Sequence, residues 1–270
     1  MAMFEEGLLP TSASQHDLEA AQLQFSRQAE IYSKMTVVTD RERLSHIVSI
    51  SGVGKSDRVL DVASGPGLVA MAFAPHCASV IGIDATDRFI ARATAEAAMR
   101  RLDNVSFILG DAERIAYPDE SFDIAVCRFA FHHFPYPTAV LGEMRRVVRP
   151  GGSIVIVDML ASEDPARASY HNAIEQLCDP SHTRAIPGSE FERMFTRFGL
   201  EVTYKQTFKS TYSIEDWIAH GAPTADRAAR IVEMMEASVT EDKSGLCVRI
   251  TNGRMYFSHI GASYVMRRRL

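Results

Sequence analysis

Gly65 and Gly67 flank Pro66 in VLDVASGPGLVA, Val59 to Ala70, where an apolar run breaks into a turn and resumes with small apolar residues. Glycines there let backbone approach a ligand closely. Asp61 stands four positions before Gly65, and Asp84 closes the next apolar run, SVIGID. An acidic residue in that second place can accept hydrogen bonds from ribose hydroxyls. Asp111 follows a third apolar run, His132 and His133 follow a fourth, and Asp158 ends a fifth. Residues of these types can do two things: hold a nucleoside-bearing ligand, and take a proton from a nucleophile placed beside it.

Gly65-Pro66-Gly67-Leu68-Val69-Ala70 satisfies G-x-G-x-x-A, a form of the dinucleotide fingerprint that is weak evidence by itself. Asp61 discriminates between ligands. A carboxylate near the turn opposes a pyrophosphate, whose binding relies on a positive helix N-terminus. It favours a ligand that carries a sulfonium and an α-ammonium, as S-adenosylmethionine does. Asp84 is neutral on the point, because both ligands present a ribose. Asp111 suits the exocyclic amine of an adenine.

The elements that must position these residues alternate regularly. Strands are expected at Arg58-Val62, Ser79-Ile83, Val105-Leu109, Phe122-Cys127 and Ser153-Asp158, with helical patterns at Leu68-Phe73, Asp87-Arg101 and Thr138-Val148 between them. Nearly continuous apolar strands separated by helices imply a parallel sheet covered on both faces. A helix is expected from His16 to about Met35, and a second opens at Thr39, which has capping-box spacing to Glu42. After Asp158 the pattern changes to helices at Ala166-Cys178 and Glu190-Phe198, the latter capped by Ser189, a strand at Glu201-Ser210, and helices at Ser213-His220 and Ala225-Val239. Asn252-Gly253 between strand-like runs signals a hairpin. The fold class is α/β, a doubly wound Rossmann-like sheet, mostly parallel with a C-terminal antiparallel strand, plus a helical cap. The expected organisation is a helical segment over residues 1–55, a cofactor-binding core over 56–160, and cap helices with completion of the sheet over 161–270, all in one structural domain.

Bulk composition narrows the partners. A chain of 270 residues with 46% hydrophobic and 23% charged residues is ordinary for a globular protein. A formal net charge of −5 gives no general attraction to phosphate backbones or anionic lipid, so neither nucleic acid nor membrane is expected as a partner. Cys77, Cys127, Cys178 and Cys247 form no C-x-x-C pair, which argues against a zinc site or disulfide framework; no metal is expected. MAMFEEGLLP lacks the basic start of a secretory signal, and the expectation is a reduced, cytoplasmic protein. Oligomeric state is not legible.

Gly110-Asp111-Ala112-Glu113 after the third strand, Ser121-Phe122-Asp123 opening the fourth and Arg149-Pro150-Gly151-Gly152 before the fifth complete a recognisable series. From Val59 to Asp158 the chain resembles the class I S-adenosylmethionine-dependent methyltransferases, in particular the ubiquinone/menaquinone C-methyltransferase-like group, most closely in ILGDAERIAYPDESFDIAVCRFAFHHF. The resemblance implies S-adenosyl-L-methionine as cofactor and a methyl acceptor as substrate. It implies that Ala63, Ser64, Gly65 and Gly67 pass under the methionine moiety and that Asp84 binds the ribose with Ala85 beside the adenine. It further implies that Asp111 and Ala112 bind the adenine and that Arg128 lies at a strand end beneath the methyl group. In similar enzymes the segment around QAEIYSKM folds over the cofactor, which makes Tyr32 and Gln28 candidates for its carboxylate or the acceptor.

Methyl transfer mainly needs alignment and exclusion of water, and a base only where the nucleophile must lose a proton. His133 is the leading candidate for that base, with His132 and Asp158 beside it. Related small-molecule O-methyltransferases use a histidine pair with an acidic residue, which favours oxygen slightly over carbon or nitrogen. His182 and Arg184, from DPSHTR in the cap, are candidates for contact with a small-molecule acceptor; local hydrogen bonds of a turn are the competing reading. The alternative function is a protein that binds S-adenosylmethionine without transferring its methyl group.

Overall fold

The computed structural model describes residues 41–269, so the expected helix at 16–35, Gln28, Tyr32 and the Thr39 cap lie outside the described residues. Helix α1 (Arg41–Ser51) leads into β1 (Arg58–Val62), and α2 (Leu68–Phe73), β2 (Ser79–Asp84), α3 (Asp87–Met99) and β3 (Val105–Leu109) follow. Then come β4 (Phe122–Arg128), α4 (Pro137–Val147) and β5 (Val148–Ala161). The chain continues through α5 (Pro165–Cys178), β6 (Ile186–Pro187), α6 (Gly188–Arg197), β7 (Leu200–Ser213), α7 (Ile214–Gly221), α8 (Ala225–Glu236), β8 (Arg249–Thr251) and β9 (Arg254–Arg268).

The main sheet has the order β3-β2-β1-β4-β5-β9-β7. The first five strands are parallel, and β9 runs antiparallel between β5 and β7. Side chains alternate between faces with the period of two that a strand imposes. Leu60, Val62, Ala125, Cys127, Ile154 and Ile156 pack on one face with α4 and α6. Val59, Ile124, Val126, Val155 and Val157 pack on the other with α1 and α2. A third core, including Ile174, Trp217, Ile231, Met235 and Phe257, lies among α5, α7, α8 and the far half of β9.

The chain winds outward from β1 to β3 and then returns to place β4 on the other side of β1. This reversal opens a crevice at the C-terminal ends of β1 and β4, where open α/β sheets bind ligands. Two local expectations need correction. Asp158 does not end its strand, since β5 continues to Ala161. Ser189 does not cap α6, whose N-cap is Pro187 without a side-chain bond. Glu163 takes Ser189 instead, accepting from its backbone N at 2.9 Å and its Oγ at 2.6 Å.

Candidate active site

The crevice holds a cavity of about 430 Å³ whose lining falls into two halves. One half is the ends of β1, β2 and β3, with Asp61, Ala63–Pro66, Asp84–Thr86 and Gly110–Glu113. The other is the end of β4 and a cap loop, with Arg128–Ala130, His133–Pro135 and Pro180–Thr183.

The first half is shaped by backbone. Ala63, Gly65 and Gly67 all take positive φ, at 54°, 51° and 79°, so the chain folds back on itself directly after β1. A Cβ on Gly67 would lie 2.7 Å from Phe107 Cε1, whereas one on Gly65 would meet nothing within 4 Å among the described residues. Gly67 is therefore required by packing, and Gly65 borders open space. Asp84 pins the turn: Oδ2 accepts from Gly65 N at 2.8 Å and Oδ1 from Thr86 N at 2.9 Å. Asp61 braces it from beneath, accepting from Ala70 N at 2.9 Å. Burial pushes the Asp61 carboxyl up to about 7 against the pull of that hydrogen bond, and burial likewise raises Asp84. Ser64 Oγ lies buried in the lining without a hydrogen-bond partner among the described residues. An orphaned hydroxyl, open space over Gly65 and two carboxyls kept from solvent fit a ligand with a carboxylate, a cationic centre and a ribose. Asp111 and Ala112 border the same half, and Asp111 Oδ1 accepts from Glu113 N at 2.8 Å.

The second half is shaped by side chains. Phe129, at the end of β4, is itself left-handed at φ 52°, a conformation costly for a bulky residue, and its ring lies 4.9 Å from the Arg128 guanidinium carbon. Asp158 holds the loop that follows. Its Oδ2 accepts from Ala130 N at 3.1 Å and Phe131 N at 2.7 Å, while its Oδ1 accepts from Met159 N at 2.7 Å and lies 2.6 Å from His132 Nδ1. Burial alone would depress the His132 imidazolium, but the Asp158 charge and hydrogen bond overcome it and raise the pKa. His132 and Asp158 are thus a buried ion pair that builds the loop, and neither lines the cavity.

His133 does line it. Burial, and then the charge of His132 with ring centroids 4.2 Å apart, drive His133 down to about 4, so it is neutral near pH 7. Its Nδ1 lies 3.1 Å from the carbonyl oxygen of Ser181 and 3.2 Å from Ser181 Oγ. A carbonyl oxygen only accepts, and Ser181 Oγ commits its own proton to Asp179 Oδ1 at 2.6 Å. Nδ1 therefore carries the ring hydrogen, and Nε2 keeps the lone pair.

His182 also lines the cavity, with Nε2 2.9 Å from Asn172 Oδ1, and burial takes it down to about 3. Arg184 does not reach the cavity; it is paired with Glu190 on α6, one bond spanning 3.0 Å. The turn expected at Asp179-Ser181 is present, with Ser181 N donating to Asp179 Oδ1 at 2.9 Å. That same turn delivers Ser181 to His133, a role that local spacing could not reveal. Phe129 carried no sequence signal either, because its importance lies in its backbone angle.

A methyltransferase domain model matches residues 60–156. The uncharacterized methyltransferase YcgJ of Bacillus subtilis is 33% identical over 231 residues, covering 85% of this chain and 91% of YcgJ. Its crystal structure superposes with a TM-score of 0.78 over 84% of this chain and 98% of that one. The BH2331 protein of Bacillus halodurans superposes with a TM-score of 0.80 at 31% identity, over 84% and 99% of the two chains. The ubiquinone/menaquinone biosynthesis C-methyltransferase UbiE of Cupriavidus necator is 33% identical over 127 residues, 46% of this chain and 51% of UbiE.

Proposed function

Because the chain belongs to the class I S-adenosylmethionine-dependent methyltransferases, we propose that it methylates an acidic hydroxyl, such as a phenol, on a small planar molecule. The observation that carries this reading is the tautomer of His133, a cavity-lining residue: Ser181 holds the ring hydrogen on Nδ1, which makes Nε2 the basic nitrogen. When bound, S-adenosylmethionine supplies an electrophilic methyl group on a sulfonium that departs as a neutral thioether. Ala63 to Gly67 would support its methionine part, Asp84 would accept from its ribose, and Ala85, Asp111 and Ala112 would border its adenine.

His133 Nε2 takes the proton of the acceptor hydroxyl as that oxygen forms its bond to carbon. An imidazole whose conjugate acid titrates at about 4 is a modest base. It suits a hydroxyl of roughly phenolic acidity, pKa about 10, far better than an alkyl alcohol. Phe129, Phe134, Pro135 and Pro180 supply flat apolar walls for such a ring, and His182 a polar contact. Among the described residues nothing fills the second half of the cavity, which supports an acceptor there over a protein that only binds its cofactor.

Release of S-adenosylhomocysteine, measured with matched panels of phenols, amines and carbon acids, tests the reading. Phenols are expected to turn over, and His133→Gln is expected to lower kcat by roughly 10²–10⁴-fold with cofactor binding retained. Turnover confined to amines or carbon acids, or an unimpaired His133→Gln enzyme, would refute it.

A further inference from the structure

Three side chains outside the cavity lining converge on one another in the third core. His171 and Glu175 stand one turn apart on a face of α5, and β9 brings His259 to them. All are buried, with 1%, 5% and 7% of their surface exposed. Glu175 Oε1 lies 2.7 Å from His259 Nε2 and 3.3 Å from His171 Nε2. The two imidazoles are stacked with centroids 5.5 Å apart. His171 Nε2 has no hydrogen-bond partner among the described residues.

Each imidazole can bring its own proton to the Glu175 carboxylate, but only one of the two is placed to form a hydrogen bond. His259 bonds Glu175, and the nitrogen of His171 is left buried against the same oxygen without a bond, an arrangement that folded proteins rarely tolerate without a reason. A cation engages both nitrogens and the carboxylate together. We propose that His171, Glu175 and His259 form a site for a divalent transition-metal ion of the zinc class, which ties the cap helix α5 to the sheet strand β9.

The donor set and spacing support this choice. Two imidazoles and one carboxylate suit zinc, whereas magnesium and calcium prefer oxygen alone and copper(I) prefers thiolate or thioether. Bonds of about 2.0–2.2 Å to nitrogen and oxygen set tetrahedral ligand atoms roughly 3.4 Å apart. The three ligand atoms lie within 4.8 Å of one another. The separation of 3.3 Å between His171 and Glu175 already matches, and the His259 separation of 2.7 Å has to open slightly. The ion would also order the cavity at one remove: Asn172, next to His171, holds His182 Nε2 at 2.9 Å and Ala185 N at 2.7 Å.

The test uses full-length protein without an affinity tag, stripped with chelator, dialysed and titrated with Zn²⁺ alone, then with Co²⁺ as a spectroscopic probe. One zinc retained per chain, a higher Tm and a visible cobalt d–d band are expected. Glu175→Gln and His259→Gln should each weaken zinc binding by more than the roughly 10–100-fold typical of losing an outer partner. Failure of the native protein to retain zinc or show the cobalt band overturns the proposal, whatever the variants do. Unchanged affinity in both folded variants also overturns it, since the ion would then sit elsewhere. Neither readout depends on methyl transfer.

Discussion

The two halves of the cavity are built on different principles. At the ends of β1 to β3, the wall is a backbone turn with three left-handed positions in five residues, pinned by two carboxylates that accept from main-chain N–H groups. At the end of β4, the wall includes His133 and His182, whose protonation states are set first by burial and then by neighbouring charges, His132 and Asp179 among them. A shape made of backbone can be shared by many proteins that hold one cofactor. A shape made of side-chain networks can change with the acceptor, at a cost confined to that half.

Substitutions that strike one half and spare the other test this division. Asp158→Ala should have the largest effect, because it leaves the N–H groups of Ala130 and Phe131 without their acceptor and removes the charge that keeps the buried His132 protonated. Breaking a buried pair from one side costs about 3–5 kcal/mol. Urea unfolding should show that loss, and titration should show cofactor affinity falling far less than acceptor turnover. Equal losses of both would mean the halves are one unit.

Gly67→Ala is the converse. A left-handed alanine costs about 1–2 kcal/mol, and overpacking against Phe107 a further 1–3 kcal/mol. Calorimetric titration should then show cofactor affinity collapsing, and retained affinity would mean that the turn adapts.

The halves should also answer pH in opposite senses. Asp61 titrates at about 7 folded against 3.8 unfolded. Its contribution is full below the unfolded value and is lost as pH rises through about 7. His133 and His182 titrate at about 4 and about 3 folded, against 6.5 unfolded. The unfolded chain takes their protons first, so their contribution is lost as pH falls below about 6.5. Asp61→Asn should flatten the alkaline side of the stability profile, and His182→Gln the acid side, both read from urea midpoints across pH. Superimposable profiles for wild type and both variants would contradict the assignment.

The smallest effect is expected for Ser181→Ala. It removes one acceptor from His133 Nδ1 but leaves the Ser181 carbonyl in place. A net hydrogen bond of about 0.5–1.5 kcal/mol corresponds to a loss of kcat of roughly 2–10-fold. A loss as deep as that of His133→Gln would show that the hydroxyl does more than orient the ring.

What could be read from the chain follows the same division. The strands, the glycine turn and the Asn252-Gly253 hairpin, with both residues left-handed at φ 51° and 74°, are set by neighbours in sequence, and their signals are local. The cap on α6 failed for the opposite reason: Ser189 had a local partner on paper, but Glu163, 26 residues away, claimed it. In the second half of the cavity, His133 was legible as a histidine past the fourth strand. Its tautomer was not, because Ser181 is 48 residues distant. Arg184 looked available beside His182 yet is occupied by Glu190. The convergence of His171 and Glu175 on His259, 84 positions beyond Glu175, left no trace in spacing that a linear reading could use.

β7 and β9 pair without interruption of partnership from Leu200 and Arg268 at one end to Ser213 and Tyr256 at the other, with a single irregularity near Thr203. One stretch of this ribbon lies beside β5, and the other, carrying Tyr212 and Phe257, runs into the core of the cap. The cap is therefore mounted on a leaf spring. On the proposed function, an acceptor that displaced the cap would have to bend this ribbon, whose resistance grows with displacement, so selection by size would be graded where a lid on a loose linker would impose none until it jammed.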